Sequence, residues 1–264
     1  MRVLTANVHA NVDGWGRTTA AVSNVLAHDA DLVFVQELWS GELVDDVQAF
    51  CDAGYEGQFA PLATCTRVRG NDGGKRWEPW TALLTGDEGL YFSERRTLSE
   101  RREARLAASV GTEVGQWGVG LFTRLEVKDI TTHPLPQLAR DKTCRSLIVA
   151  TVVDQGHTFA AVALHGPHLS HGSLSTYRAI QELLRPLSTE MPVIIGGDFN
   201  CWRPLLRVVL PGWRSAVRGR TWPIDYPHSQ IDHLLLRGPW RVSDKERVNT
   251  GSDHLALAAT LTWP

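Results

Sequence analysis

The sequence predicts a domain of the α+β class, with many short strands and a few helices around one large hydrophobic core. Short runs rich in Val, Ile and Leu recur along the whole chain, whereas segments with helical spacing are few. The chain has 264 residues, of which 43% are hydrophobic and 21% charged. This is an ordinary globular composition, and it excludes disordered, collagen-like and coiled-coil proteins. Because no internal repeat or long linker divides the chain, we expect a single domain over residues 1–264.

In the first half of the chain, two strands with a helix between them come first. Val3–Val8 and Leu32–Val35 are apolar runs of strand length, and Thr18–His28 has apolar residues at helical spacing. Gly41–Cys51 is predicted as a second helix, and a short strand ends at Leu121–Phe122 after several glycines. The second helix would bury one face, made of Leu43, Val44, Val47 and Phe50.

The segment Thr66–Gly115 differs from the rest in composition. It is rich in Gly, Arg, Glu and Trp, and within it Leu98–Ala108 has the pattern of a polar surface helix. Its charges are mixed in sign, which favours a solvated face over a phosphate-binding groove. We therefore expect an elaborated surface region at about residues 66–115.

The second half of the chain contains a hairpin, a helix and three further strands. Ser146–Val153 and Thr158–Leu164 are β-rich runs, and Asp154, Gln155 and Gly156 between them form a typical hairpin turn. Leu174–Leu184 has helical spacing. The remaining predicted strands are Pro192–Gly196, Ile231–Leu236 and Leu255–Leu261.

Composition limits the classes of function and location. The net charge of −2 excludes a broad basic coat, so an anionic ligand must be met locally or through a metal. Only four of the 27 basic residues are Lys, a bias typical of a GC-rich bacterial genome. The four Cys form no CxxC pair, which argues against a structural zinc site and a disulfide framework. The first residues lack signal-peptide features, so a cytoplasmic protein without a transmembrane segment, and a monomer, is expected; a mature secreted form stays open.

Polar residues cluster where the predicted strands end, which is where binding and catalytic sites are commonly built. Taken one at a time, each is explained as a turn or capping residue. Taken together, their types and order match one known constellation. The residues in these positions are Asn7, Gln36, Glu37, His165, His168, Asp198, Asn200, Asp232, His233, Asp253 and His254.

The chain resembles the endonuclease/exonuclease/phosphatase superfamily, the DNase I-like proteins, from Met1 almost to Pro264. The Gly-Gly-Asp-Phe-Asn motif and the late Ser-Asp-His motif are the most specific, and the ordered set is more specific still. Residues 66–115 match least. The matching motifs are Thr5–Val8, Val35–Glu37, Gly118–Arg124, His168-Leu169 with Arg178 and Gln181, Gly196–Asn200, Gln230–His233 and Gly251–His254.

The resemblance implies a four-layer α/β/β/α sandwich of two packed, mainly antiparallel sheets with a divalent-metal phosphoesterase site at one end. It makes Glu37 the main metal ligand, with Asn7 and Asp253 close to it. Oxygen ligands of this kind suit Mg²⁺, or Mn²⁺, better than zinc.

The resemblance also assigns catalytic roles. Asp198 would orient or deprotonate the attacking water, and Asn200 would hydrogen-bond a phosphate oxygen. His254 would act on the phosphoryl group or the nucleophile, with Asp232 fixing its tautomer. The metal and His254 would then offset the charge that develops on the phosphoryl oxygens.

The histidines near this set allow more than one assignment. The family's central His-Leu motif is matched by His168, which is our first choice as a catalytic residue, with His165 in reserve. His165, His168 and His171 recur every third residue, so a separate metal site is the less favoured alternative. His9 stands where families that cut at abasic sites carry an acid, which argues against that activity.

The substrate depends on the rim of the site, not on the fold. Trp15, Trp39 and Trp202 follow site residues closely in sequence and could stack on bases, meet an apolar tail or pack beneath the loops. Arg124, with His165, is a further rim candidate. We expect a metal-dependent phosphodiesterase whose partner is a phosphodiester substrate, with a DNase I-like nuclease first. The alternatives are a lipid or small-molecule phosphoesterase and, least favoured, a non-catalytic binding module.

Overall fold

The protein is described here by a computed structural model. The structure describes residues 1–12, 19–68, 83–85, 90–91, 112–141, 143–168, 171 and 174–264. The predicted helix Leu98–Ala108 and the candidate Trp15 lie outside these residues. Within them, no helix is long and apolar enough to cross a membrane.

Eight of the strands form the first sheet. They are β1 (Arg2–Asn7), β2 (Leu32–Gly41), β3 (Glu56–Val68), β4 (Leu83–Thr85), β5 (Leu90–Tyr91), β6 (Thr112–Thr123), β13 (Arg241–Asn249) and β14 (Leu255–Thr262). Their spatial order is β13-β14-β1-β2-β6-β3-β4-β5. β1 and β2 run parallel, and the other described pairs are antiparallel.

The other six strands form the second sheet. They are β7 (Glu126–Pro134), β8 (Ser146–Asp154), β9 (His157–His165), β10 (Val193–Asp198), β11 (Arg214–Ser215) and β12 (Asp232–Arg237). Their order is β11-β12-β10-β9-β8-β7, with β9 and β10 as the parallel pair. The described helices are α1 (Ala21–Ala27), α2 (Asp46–Asp52), α3 (Leu174–Glu190) and α4 (Arg203–Val209).

Strand alternation divides the apolar residues into three cores. In β1, Val3 points between the sheets, whereas Leu4 and Ala6 point outward under α1. On the far side, α3 and α4 cover the outer face of the second sheet through Ile180 and Leu206. Each sheet thus has an inner face against its partner sheet and an outer face under helices. This confirms the predicted four-layer α/β/β/α sandwich.

The two parallel pairs bring the chemistry to one end of the sandwich. Parallel neighbours need a crossover, and helices α1 and α3 lie in the two crossover connections. Parallel strands end at the same edge of a sheet. Asn7 is therefore paired with Gln36, beside Glu37, and His165 is paired with Asp198. The antiparallel strand β12 adds Asp232 opposite Asp198.

A β-bulge at Glu37 changes which side chains of β2 point inward. The register with β6 shifts between Gln36 and Leu38, and Glu37 has a φ of 56°, a strained value for a residue other than glycine. Beyond the bulge, Leu38 faces the helices and Trp39 faces the inter-sheet core, where it is fully buried. The bulge therefore releases Glu37 from the regular ladder at the site.

A glycine lets the two sheets approach each other closely beside the site. A Cβ on Gly196 would lie 2.1 Å from the ring of Phe34. Gly196 in β10 and Phe34 in β2 therefore form a close contact between the sheets, only two or three residues before Asp198 and Glu37. Any larger side chain at position 196 would push the two halves of the site apart.

The structure corrects several element boundaries. The helix predicted at Gly41–Cys51 begins at Asp46, because the Asp45 carboxylate accepts the main-chain N–H groups of Val47 and Gln48 and caps it. Leu43 and Val44 precede the helix and are exposed, so they do not belong to its buried face. The strands that were not predicted are β3, β4, β5, β7, β11 and β13.

Candidate active site

The centre of the site is Asn7, held between two carboxylates from different sheets. Its Nδ2 donates to Glu37 Oε1 at 2.9 Å and to Asp198 Oδ2 at 3.2 Å. Its Oδ1 accepts the main-chain N–H of His9 at 3.0 Å. These three hydrogen bonds fix the amide. In this orientation Asn7 positions the carboxylates through its amide nitrogen, and its oxygen accepts from the main chain of His9.

His165 joins this cluster from the end of β9. Its Nε2 lies 3.7 Å from Asp198 Oδ2 and 4.0 Å from Glu37 Oε1. The same nitrogen accepts the Asn200 amide at 3.2 Å. Burial, and then the charges of Arg145 and His254, hold the pKa of His165 well below its usual value. His165 is therefore a neutral imidazole at the metal-binding end of the sandwich.

His254 and Asp232 form a buried pair. His254 Nδ1 donates to Asp232 Oδ2 at 2.9 Å, and its Nε2 lies 4.0 Å from Asp198 Oδ2. Burial alone would lower the pKa of His254, but the charges of Asp232 and Asp253 hold it well above the usual value. The imidazole is thus a cation whose second N–H points to the side of Asp198.

The Asp198 carboxyl group is strongly perturbed. Burial, and then the negative charge of Asp232, raise the pKa of Asp198 to about 7. The Asn200 main-chain N–H donates to its Oδ1 at 2.7 Å, which opposes this rise only in part. Near neutral pH this group can both hold and release a proton, which is the requirement for a general base.

The donor set fits a divalent cation. Single donor atoms of Glu37, His165 and Asp198 all lie within 4.8 Å of one another, as do those of Asp198, Asp232 and His254. Glu37 is partly open to solvent, so an ion and its waters could reach the first group. Two carboxylates with one imidazole are compatible with Mg²⁺ and with Mn²⁺. Asp253 belongs to neither of these groups.

Asp253 lies next to the cluster, between two histidines. Burial raises the pKa of Asp253, but the charges of His9 and His254 outweigh it, so that the pKa lies below its ordinary value. Asp253 Oδ1 accepts the Ser252 hydroxyl at 3.2 Å, and the indole N–H of Trp222 also donates to this carboxylate. His9 in turn has a raised pKa, because Asp253 and Glu37 outweigh its burial.

Two sequence predictions for histidine and tryptophan need correction. His165, not His168, is brought into the cluster; His168 is exposed, and its ring lies 5.9 Å from that of His171. The reason is that β9 ends at His165, so the chain has left the sheet before residue 168. Trp39 is not a rim residue, since the bulge at Glu37 turns it into the core.

Arg124 is also excluded from the rim. Its main-chain N–H donates to Asp31 at 3.0 Å, beside the amino end of β2, whereas the site lies toward the other end of that strand. Its guanidinium pairs with Asp29 and lies 4.2 Å above the ring of Tyr55. Trp202, by contrast, is 57% exposed just after Asn200, which agrees with a rim position.

Sequence reasoning missed three features of the site. Trp222 bonds Asp253, and its ring lies 6.4 Å from that of His254. Arg145 bonds Asp141 at 2.8 Å and the carbonyl of His165 at 3.4 Å, and so supports the site from behind. The main chain at residues 9–11 has three successive positive φ values, and this turn holds the His9 ring near the acids. None of these residues lies in a recognisable motif.

The comparisons agree with this geometry. The Endonuclease/Exonuclease/phosphatase family model matches residues 4–254. No curated protein sequence matches the chain. Among solved structures, a family protein from Leptotrichia buccalis is 13% identical with a TM-score of 0.66, and each chain is covered over 100% of its length.

Two further structures share the fold at similar distance. The human nocturnin catalytic domain with bound sulfate is 17% identical with a TM-score of 0.64, over 100% of this chain and 94% of that chain. A mannosyl-6-phosphatase from Bacteroides thetaiotaomicron is 15% identical with a TM-score of 0.61, with both chains covered over 100%. At these identities the structures show the fold alone. The family model spans nearly the whole chain, and this chain therefore belongs to the endonuclease/exonuclease/phosphatase family, whose members hydrolyse phosphoester bonds.

Proposed function

We propose that this chain is a divalent-metal-dependent phosphodiesterase that uses Mg²⁺ or Mn²⁺ and cleaves nucleic acid. The observation that carries the proposal is the convergence of Glu37, His165 and Asp198 beside the His254–Asp232 pair. His165, Asp198 and Asp232 lie at strand ends, Glu37 lies at the bulge in β2, and His254 lies in the loop before β14. A binding module would not need a buried proton-carrying aspartate next to a buried imidazolium.

Glu37 anchors the cation in this proposal, with Asp198 and His165 beside it and Asp253 as the neighbouring acid. Asn7 holds the carboxylates of Glu37 and Asp198 in place through its amide N–H groups. When bound, the cation polarises the phosphoryl oxygens and offsets their charge. The fixed amide keeps the two carboxylates at a constant separation, which preorganises the site.

Asp198 and His254 carry the proton transfers. Asp198, whose Oδ2 lies 4.0 Å from His254 Nε2, accepts a proton from an attacking water. His254 donates from Nε2 toward a phosphoryl or leaving oxygen, while Asp232 holds Nδ1. Asn200 lies beside them, and its amide donates to His165 and to the Gly166 carbonyl at 3.1 Å. This amide sets the position of the neutral imidazole.

The exposed ring of Trp202 beside Asn200 favours nucleic acid as the substrate, because a base can stack on it. A lipid or small-molecule phosphoester is the alternative. A fold neighbour that is a mannosyl-6-phosphatase makes a sugar phosphate a necessary part of any substrate screen.

The test is hydrolysis of plasmid DNA, single-stranded RNA, bis-p-nitrophenyl phosphate, sphingomyelin, inositol phosphates and mannose 6-phosphate, with Mg²⁺, Mn²⁺ or EDTA. We expect metal-dependent cleavage of nucleic acid that His254→Ala and Asp198→Asn abolish. His133→Ala and Asp129→Asn, on the edge strand β7, are matched controls that keep it. Turnover unchanged by both site variants would reject the site, and turnover of sphingomyelin or a monoester without nucleic acid would reject the substrate class.

A further inference from the structure

A cavity of about 530 Å³ is lined by residues that follow Asn200 in the chain and by residues of the segment 219–230. Its lining includes the exposed Trp202 together with Arg203, Arg220 and His228. Trp202 is two residues beyond Asn200. The ring of His228 packs 5.5 Å from that of Trp222, which in turn faces His254. One part of the lining therefore follows Asn200 in sequence, and another part is linked to His254 through the ring of Trp222.

Arg203 is a cation without a compensating acid in the part of the chain that the structure describes. Its Nε–H is buried and donates to no partner there. Burial, and then repulsion from Arg207 and Arg218, lower the pKa of Arg203. Arg203 thus lies near other guanidinium groups, and an anion bound here would offset their mutual repulsion.

A second cavity of about 510 Å³ continues this positive surface. It is lined by Arg214, Arg218, Lys245 and Arg247, and by one acid, Glu246. Glu246 is already paired with Arg2, so it does not neutralise these cations. The net charge of the whole chain, −2, hides this concentration of positive charge on one face.

The two cavities meet at Gly219 and Arg247. Residues 214–218 line the second cavity, and Gly219 and Arg220 line the first. The Arg247 side chain lies against Gly219, where a Cβ would come within 2.7 Å of it, and its Nη1 donates to the Arg220 carbonyl at 3.1 Å. Arg247 therefore stands at the junction, and the absence of a side chain at position 219 leaves room for it.

We propose that these two cavities form a binding track for a single-stranded nucleic acid, which continues from the catalytic cluster with a base on Trp202 and phosphates on Arg203, Arg220 and Arg247. This inference rests on the proposed function and extends it to the strand beyond the cleaved bond. A run of separate cations with an exposed aromatic ring at one end matches the alternation of phosphates and bases along a strand. A single phosphate would need only the first cavity.

A membrane surface carrying acidic lipids is the competing partner. The cations here lie in series from Arg203 to Arg247, with the exposed ring of Trp202 at one end, whereas a lipid surface requires only a patch of positive charge. A flexible single strand can follow such a path. A rigid duplex would need its phosphates met on a broad basic face, which the composition argues against.

The test is the binding of a fluorescein-labelled 12-nucleotide single strand to the full chain in EDTA, followed by anisotropy across a salt series. We expect Trp202→Ala to weaken binding about 5- to 150-fold, and Trp202→Phe to restore most of it. The double variant Arg203→Gln/Arg220→Gln should also flatten the log Kd against log salt slope by about 1.4, or about 0.7 for each phosphate contact. Arg203→Lys/Arg220→Lys keeps the charges and should keep the slope.

Lys128→Gln is the control for loss of a positive charge elsewhere on the surface, because Lys128 is exposed on β7, at the edge of the second sheet opposite β11. It should leave both affinity and slope unchanged. A slope that the Arg203/Arg220 double variant does not change, or an equal loss with Lys128→Gln, would overturn the track. Binding to phosphatidylserine vesicles with no binding to the oligonucleotide would overturn it as well.

Because EDTA removes the metal, this binding experiment does not depend on turnover. Oligonucleotide binding that depends on Trp202 and the arginines, in a protein that cleaves no phosphodiester, supports the track and rejects the proposed function. The second comparison is the ratio of kcat/KM for the 12-mer to kcat/KM for bis-p-nitrophenyl phosphate. If the protein cleaves nucleic acid but this ratio is the same in wild type and in the Arg203/Arg220 variant, the function is supported and the track is rejected. Both proposals stand if this ratio falls about tenfold or more.

Discussion

His254 donates its Nδ1–H to Asp232 Oδ2 across 2.9 Å, and the two residues come from different parts of the chain that the sandwich brings together. Asp232 lies in β12 of the second sheet, whereas His254 directly precedes β14 of the first. The pair therefore joins the two sheets at the catalytic end. Its negative member sustains the positive charge of the imidazole in a buried place.

Replacing Asp232 by Asn should remove that support. Without the carboxylate the pKa of His254 falls, and the amide can hold the ring in the wrong tautomer, so we expect kcat to drop about 10²- to 10⁴-fold with folding retained. NMR titration of the His254 ring measures the pKa directly. Asp129→Asn, on an exposed strand, is the control. A His254 pKa that does not move would contradict the assigned pair.

A matched pair of variants should distinguish the catalytic contributions of His165 and His168. His165 contacts Asn200 and lies near Asp198, whereas His168 lies outside the cluster. His165→Asn should lower kcat/KM by about 10²-fold or more, the scale for loss of a group that positions a reacting centre. His168→Asn should remain close to wild type. The reverse order would restore the assignment that the sequence motif favours.

Glu37 should control metal affinity. Glu37→Gln keeps the size of the side chain but removes its charge, so Mn²⁺ binding measured by calorimetry should weaken at least about 10- to 100-fold. The rise in Tm on adding Mn²⁺ should shrink in parallel, because bound metal stabilises only the folded chain. Glu42→Gln, exposed nearby, is the control. Equal Mn²⁺ affinity in wild type and Glu37→Gln would remove Glu37 from the metal site.

Eight of the strands could be predicted because their residues form short apolar runs, whereas the four layers were implied by the family resemblance. The hairpin turn at residues 154–156 was predicted from its residue types, and in the structure Gln155 and Gly156 both have positive φ. β7 and β13 were missed because they are edge strands with mostly exposed, polar residues, such as Lys128 and Lys245, whose pattern resembles a loop.

The wrong predictions for Trp39 and His168 have one physical origin. The direction of a side chain at the end of a strand depends on irregular main-chain geometry, which the sequence pattern does not reveal. Period-2 alternation gives no warning of the bulge at Glu37, and the bulge decides that Trp39 is core. The motif match favoured His168 as the central histidine. Because β9 ends at His165, it is His165 that lies at the edge of the sheet with the site. Asp198 and Asn200, by contrast, lie in the site, as was predicted from their positions just after a buried strand.

Asp141 should give the protein a stability that depends on pH. Burial opposes ionisation of this carboxyl, but Arg145 and the hydrogen bonds from Thr143 lower its pKa below the ordinary value. A depressed folded-state pKa means that the stabilisation is fully present above about pH 4 and is lost as the pH falls through the folded value. Asp141→Asn should therefore cost about 1–3 kcal/mol at pH 7.

The measurement is urea unfolding of wild type and Asp141→Asn between pH 2 and 7. The difference in unfolding free energy should be constant near neutral pH and shrink below about pH 4, since the wild-type carboxyl then becomes protonated. Asp129→Asn should show no such convergence, because its carboxylate is exposed. Since Arg145 also bonds the carbonyl of His165, the same variant should lower kcat more than Asp129→Asn does. A stability difference that grows on acidification would contradict the direction of the Asp141 pKa.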